Sequence, residues 1–160
     1  MTSAAHLLAT VWKRLGGWWQ WRILWLTQSK FMVGVTGVVY DDDGRVLLLR
    51  HRFWPEGSWG LPGGYAHSGE TLENALRREL HEETGYEIES VRLLQVTSGF
   101  KLRIEVAFAA RLAGGVRRLD PHEVLDAAFF APETLPDGLL RTHHRLIALA
   151  AVTPAGTAAP

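Results

Sequence analysis

The stretch between Gly64 and Gly85 constrains this chain more than any other. It opens on Leu61-Pro62-Gly63-Gly64, a tight loop in which glycine lets the backbone approach a ligand or ion closely. Glu70 follows, with Thr71 a candidate N-cap. Leu72 to Thr84 is rich in helix formers and free of proline, and Gly85 is the expected stop. At roughly 100° per residue, Glu79, Glu82 and Glu83 fall within about a 100° sector. Leu72, Ala75 and Leu76 lie on that same side two turns earlier, so the stripe is apolar at its start and acidic at its end. An ordinary amphipathic helix would keep it apolar. Like charges at i,i+3 or i,i+4 cost roughly 0.2–0.5 kcal/mol per pair even when exposed, so the three carboxylates repel unless a cation holds them. An all-oxygen donor set suits a hard divalent cation, Mg²⁺ or Mn²⁺. Arg78, four residues before Glu82, could orient a carboxylate from behind.

The rest of the chain frames this stretch. Leu8, Trp12, Leu15, Trp19, Ile23 and Leu26 recur at helical spacing, and Gly16-Gly17 divides them into two helices. Five of the seven tryptophans lie in this leading segment, residues 1–30. Phe31 to Tyr40 reads as a buried strand, the run Asp41 to Gly44 as a turn, and Arg45 to Arg50 as a second strand, together a hairpin. Leu102 to Ala110 alternates into a strand with one apolar and one partly charged face. Val124 to Phe130 is a further strand and Leu139 to Ala150 a helix. The mixed order of elements predicts an α/β sandwich rather than a doubly wound sheet. It gives one domain over residues 31–151, followed by a flexible tail over residues 152–160.

The spacing Gly64, five residues, Glu70, seven residues, then Arg78-Glu79-Leu80-x-Glu82-Glu83-x-Gly85 resembles the Nudix box, G-x5-E-x7-R-E-U-x-E-E-x-G-U. Eight of its nine defined positions agree, and the ninth, usually aliphatic, is Tyr86. Trp59 to Gly63 also looks like the family's lead-in. So long and dense a match sets aside the plain reading of a solvated acidic face. The resemblance implies an α/β/α sandwich with a mixed sheet, to which the Trp-rich helical segment is an addition. It implies metal ligation by Glu79, Glu82, Glu83 and the Gly64 carbonyl, with Glu70 supporting Arg78 or the loop. The implied reaction is attack of water on a phosphorus of a diphosphate linkage in a nucleoside diphosphate joined to another moiety, with Mg²⁺ or Mn²⁺ as cofactor. The alternative is a non-catalytic Nudix domain that binds a nucleotide or a protein partner, against which the intact carboxylates argue.

Glu79 and Glu82 are the candidate catalytic residues in the box, and Glu123, before the strand at Val124, is a candidate base or extra ligand. His122 is a weaker one. Arg52 and Arg103 are candidate phosphate contacts, and Phe53, Trp54 and Phe100 candidate stacking partners for a base. Trp59 reads as structural, and His143 as a satisfied or solvated helix residue.

The chain has no cysteine, which excludes disulfides, thiolate metal sites and the Cys-dependent isomerase branch of the resembled fold. It is compatible with a cytoplasmic location. Lys+Arg and Asp+Glu are both 17, so no general attraction to nucleic acid is expected. The leading segment is expected to pack on the domain or across a homodimer, with membrane-surface contact the less favoured reading.

Overall fold

Valine and leucine alternate along the central strands so that both faces of one sheet become apolar, and a helix covers each. The structure, a computed structural model, describes residues 4–152. Its elements are α1 (Ala4–Arg14), α2 (Gly17–Thr27), β1 (Met32–Tyr40), β2 (Val46–His51), β3 (Gly63–Tyr65), α3 (Leu72–Thr84), β4 (Tyr86–Thr97), β5 (Arg103–Gly115), β6 (Val124–Phe130) and α4 (Arg141–Val152). The chain divides into two units, Met1–Phe31 and Met32–Pro160. Residues 153–160, most of the expected tail, lie outside the described residues.

The second unit is an α/β/α sandwich. Its sheet runs β4-β5-β1-β2-β6, with β3 on β1. The β1–β5 pair is parallel and the other pairs are antiparallel, so the sheet is mixed. Val35, Val39, Leu47, Leu49, Val106 and Phe108 form one core with Ala75, Leu76 and Leu80 of α3. Val38, Val46, Leu48 and Ala109 form the other with Ile147 and Ala150 of α4. Gly37 lets α3 come this close, since a Cβ there would meet Leu76 Cδ1 at 2.9 Å.

Two expectations take a more specific form in the fold. The turn at Asp41 forms, its carboxylate accepting from the Asp43 and Arg45 amides at 3.1 and 2.8 Å. The hairpin it closes registers only at Tyr40 and Val46. Beyond that point the short strand β3, hidden within the expected Gly-rich loop, takes the edge of β1 from Gly34 to Thr36. Secondly, the partly charged face of β5 is interrupted by buried alanines. The strand lies between β4 and β1, and Val106 to Ala110 are all buried, so charge on that face stands only at its ends, at Arg103 and Glu105 and again at Arg111. Small Ala107 and Ala109 fill positions that an edge strand would leave to water.

The first unit is the helix pair expected from the Gly16-Gly17 break. Gln20 Nε2 donates to the Trp12 carbonyl at 2.8 Å and ties the helices together. No residue of either helix is buried. Among the described residues, no helix is long and apolar enough to cross a membrane.

Candidate functional site

Helix ends build the site. Thr71 caps α3, its Oγ1 accepting from the Asn74 amide at 3.2 Å. At the other end Gly85 adopts φ 74°, where a Cβ would also strike the Val116 carbonyl oxygen at 2.3 Å. The last carbonyls of a helix lack partners within it. Here those of Glu83 and Thr84 accept from the Asp120 and Arg118 amides at 3.0 and 2.8 Å. These bonds bring the 118–123 loop, and with it Glu123, to the acidic end of the helix. Arg52 fixes the same loop from β2's end, its guanidinium donating to the Pro121 and His122 carbonyls at 3.1 and 3.2 Å and its amide to Glu123 O at 2.7 Å.

Arg78 is the hub of one half of the site. Its guanidinium grips Glu70 with two nitrogens, at 2.8 and 3.2 Å. It also reaches Glu79 at 3.0 Å, Glu82 at 3.2 Å and the Tyr65 carbonyl at 3.0 Å. The Arg78 hydrogen bonds, and then the His67 amide, hold the Glu70 carboxyl down at about 2. The acids around it, Glu70 foremost, raise Arg78 itself. Glu79 also accepts from the Tyr65 amide at 3.2 Å, and it packs so tightly on the loop that a Cβ at Gly64 would lie 2.1 Å from its Cδ.

Glu83 faces the opposite situation. Its side chain is 6% exposed where that of Glu82 is 58% exposed, and its Oε2 is buried without a hydrogen-bond partner. Burial first, and then the negative charge of Glu79, push its carboxyl up to about 8. Its neighbours are His51, with Nε2 at 3.8 Å from Glu83 Oε1, and Glu123, whose Oε2 lies 3.4 Å from the same Nε2. One ligand atom from each of His51, Glu83 and Glu123 lies within 4.8 Å of the others. The β2–β6 register shifts between Arg50 and His51, a bulge of the kind that re-aims a side chain. His51 belongs to the site, although nothing in the sequence alone singles it out. Its only signal there is a histidine at a strand end, and the bulge that turns it inward depends on pairing with β6.

The donors fit a hard divalent cation. They are carboxylates plus a glycine loop pressed against one of them, and a partnerless buried oxygen in the group is what a cation would satisfy.

Gly63, Gly64 and Tyr65 also line a cavity of about 350 Å³ whose other walls include Trp54, Phe100, Arg103 and His143. Arg103 lies there with its Nε 2.5 Å from Glu105 and its guanidinium 5.3 Å from the Phe100 ring centroid. Phe53 is 75% exposed and stands outside that wall. His143 Nδ1 accepts from the Leu61 amide at 2.9 Å, and burial lowers its pKa to about 4, so it is a neutral support for the glycine loop. Trp59 stacks edge-on against Phe130, and Tyr86 packs beside Phe129, as a large apolar residue at the last box position can.

A profile described as the NUDIX domain matches residues 30–150. The chain is 35% identical over 123 residues to a human 8-oxo-dGDP phosphatase, covering 73% of this chain and 38% of that protein. It is 34% identical over 101 residues to an NAD-capped RNA hydrolase of Vibrio atlanticus, covering 62% of this chain and 38% of that one. Against the first-matching curated relatives it thus spans well under two thirds of their length. A crystal structure of a MutT Nudix hydrolase from Burkholderia pseudomallei superposes with a TM-score of 0.66 at 30% identity, over 78% of this chain and all of that one. With the box, the sandwich and these likenesses together, the chain belongs to the NUDIX domain family, a family of divalent-metal-dependent hydrolases.

Proposed function

We propose that this chain is a Nudix pyrophosphohydrolase, using Mg²⁺ or Mn²⁺ to cleave the diphosphate linkage of a nucleoside diphosphate joined to a second moiety. The observation that carries the reading is the buried, partnerless oxygen of Glu83 beside Glu79 and Glu123, at the end of a helix where Arg78 pairs with Glu79 and Glu82 but not with Glu83. Glu79, Glu82, Glu83 and the Gly64 carbonyl would hold the cation. When bound, it supplies charge neutralisation at phosphoryl oxygens and a more acidic water.

The chain's own residues do the rest. Arg78 fixes the Glu79 and Glu82 carboxylates, so their geometry is set before substrate arrives. Glu123, half exposed and held on a clamped loop beside His51, takes the proton from attacking water in this reading. Glu82, still more exposed, is the second group able to do so. Arg52 contributes through the loop carbonyls it binds. Arg103 contributes as a cation in the cavity that begins at Gly64, where Trp54 and Phe100 offer faces to a base.

A small nucleotide fits better than a long polyanion. Outside residues 1–30 the chain has thirteen basic against seventeen acidic residues, so that part is net negative. The human relative is named for a nucleoside diphosphate and the Vibrio relative for an RNA cap. Both chemistries break a diphosphate, and a panel should hold both. The test is hydrolysis of nucleoside diphosphate-linked compounds and capped RNA with Mg²⁺ or Mn²⁺ in ¹⁸O-water. The expected result is metal-dependent cleavage with label on one phosphate product. A chain that binds a nucleotide with metal but cleaves none of the panel would instead be the binding module.

A further inference from the structure

The α1 and α2 helices expose more apolar surface than water-facing helices normally carry, and they do so with one sign of charge. Around α1, Leu7, Leu8, Val11 and Trp12 occupy about 140° of the helix, opposite His6, Thr10 and Lys13, with Arg14 at the boundary beside Leu7. Such a helix is amphipathic with a basic polar face. The α2 helix is apolar on two sides. Trp18, Trp21 and Trp25 fall within about 60° of one another, and Trp19, Ile23 and Leu26 within about 60° on another side. A helix that is apolar nearly all round belongs in a protein core or in lipid. Yet Trp21 is 71% exposed and Leu26 67%, and no residue of α2 is buried. At 11 residues the helix is about 16 Å long, roughly half of what a hydrocarbon core of about 30 Å requires. It can lie in an interface but cannot cross one.

Charge selects the partner. Residues 1–30 contain Lys13, Arg14, Arg22 and Lys30 and no acidic residue. Two copies of such a segment repel, and the segment has no carboxylate with which to pair its twin. Two of its cations sit over indoles, Arg22 at 5.0 Å from the Trp18 centroid and Lys30 at 4.8 Å from that of Trp25. Cation and indole side by side match the headgroup level of a bilayer, where tryptophan concentrates and anionic lipid attracts lysine and arginine. We infer that α1 and α2 form an interfacial anchor that lays Trp18, Trp21 and Trp25 into the surface of an anionic lipid membrane. This inference is independent of the hydrolase reading.

The test is sedimentation of the full chain with vesicles of phosphatidylcholine alone and of equal parts phosphatidylcholine and phosphatidylglycerol, with tryptophan emission recorded on both. The chain is expected to sediment with the mixed vesicles, with a blue shift, and to bind the neutral ones far more weakly. Lys13→Glu with Arg22→Glu changes only exposed positions and keeps the helices. It should weaken binding to mixed vesicles by 25-fold or more, at roughly fivefold per basic residue. Trp21→Ser with Trp25→Ser should weaken vesicle binding, shrink the blue shift and leave nucleotide hydrolysis unchanged. A chain that ignores the mixed vesicles overturns the inference, as does charge reversal without effect. So does a self-association lost in the tryptophan variant while vesicles are ignored, which would assign the surface to a second copy.

Discussion

At the acidic end of α3, Glu70, Glu79 and Glu82 share a single guanidinium, while Glu83 and Glu123 share an imidazole and no guanidinium. The acids around Arg78 have a cationic partner, and Glu70 is held at about 2. Glu83 is sealed from water with one oxygen unsatisfied and is pushed up to about 8. The contrast shows how the protein keeps several carboxylates within one helical turn. It compensates those that must be held in place and leaves uncompensated the one that a cation would complete.

The predictions attack that contrast from its strongest side. Glu82→Gln and Glu83→Gln should each lower kcat/KM on the order of 10³-fold, comparable to removing a principal charge-stabilising group. If Glu82→Gln retains near-full turnover on an active substrate, the role given to the exposed acid is wrong. Arg78→Ala leaves Glu70, Glu79 and Glu82 without their shared cation, and should cost activity roughly 10- to 100-fold by disordering ligands it does not replace. Steady-state kinetics at saturating metal would show it, and an unchanged rate would mean the hub is dispensable.

How much of this was legible in the sequence follows from what each residue depends on. The Thr71 cap, the Gly85 stop and the acidic side of α3 are local, set by helix geometry within one segment, and each is found as expected. So is the break at Gly16-Gly17. The β3 strand and the position of His51 are not local: one exists because β1 and β2 diverge after a single registered pair, the other because a bulge against β6 turns the side chain. From the sequence Arg52 is a candidate phosphate contact, a cation just before the box. What it holds, the carbonyls at 121 and 122, lies about seventy residues away and only the folded chain brings it near.

Smaller effects sharpen the comparison. A carboxyl raised in the fold from the ordinary value of 4.5 to about 8 binds more protons folded than unfolded between those values. Its contribution is fully present below 4.5 and is lost as pH rises through 8. Metal-free protein should therefore lose on the order of 3–5 kcal/mol of stability across that window relative to Glu83→Gln. His143 works the other way, its contribution being present above 6.5 and lost as pH falls through 4, and it cancels because both proteins carry it. Parallel denaturant titrations across the window check this, and equal slopes for the two proteins would contradict it. At the cavity, Arg103→Ala should raise KM roughly tenfold, about 1.4 kcal/mol, with kcat little changed.

The measurement closest to the central claim is Mn²⁺ binding, followed by electron paramagnetic resonance or calorimetry at pH 7.5, comparing the unaltered chain with Glu83→Gln and Glu70→Gln. The account predicts that Glu83→Gln loses most of the affinity while Glu70→Gln, which removes an acid already neutralised by Arg78, keeps it within a few-fold. Affinity undiminished in Glu83→Gln would contradict the claim that the cation completes the uncompensated carboxylate.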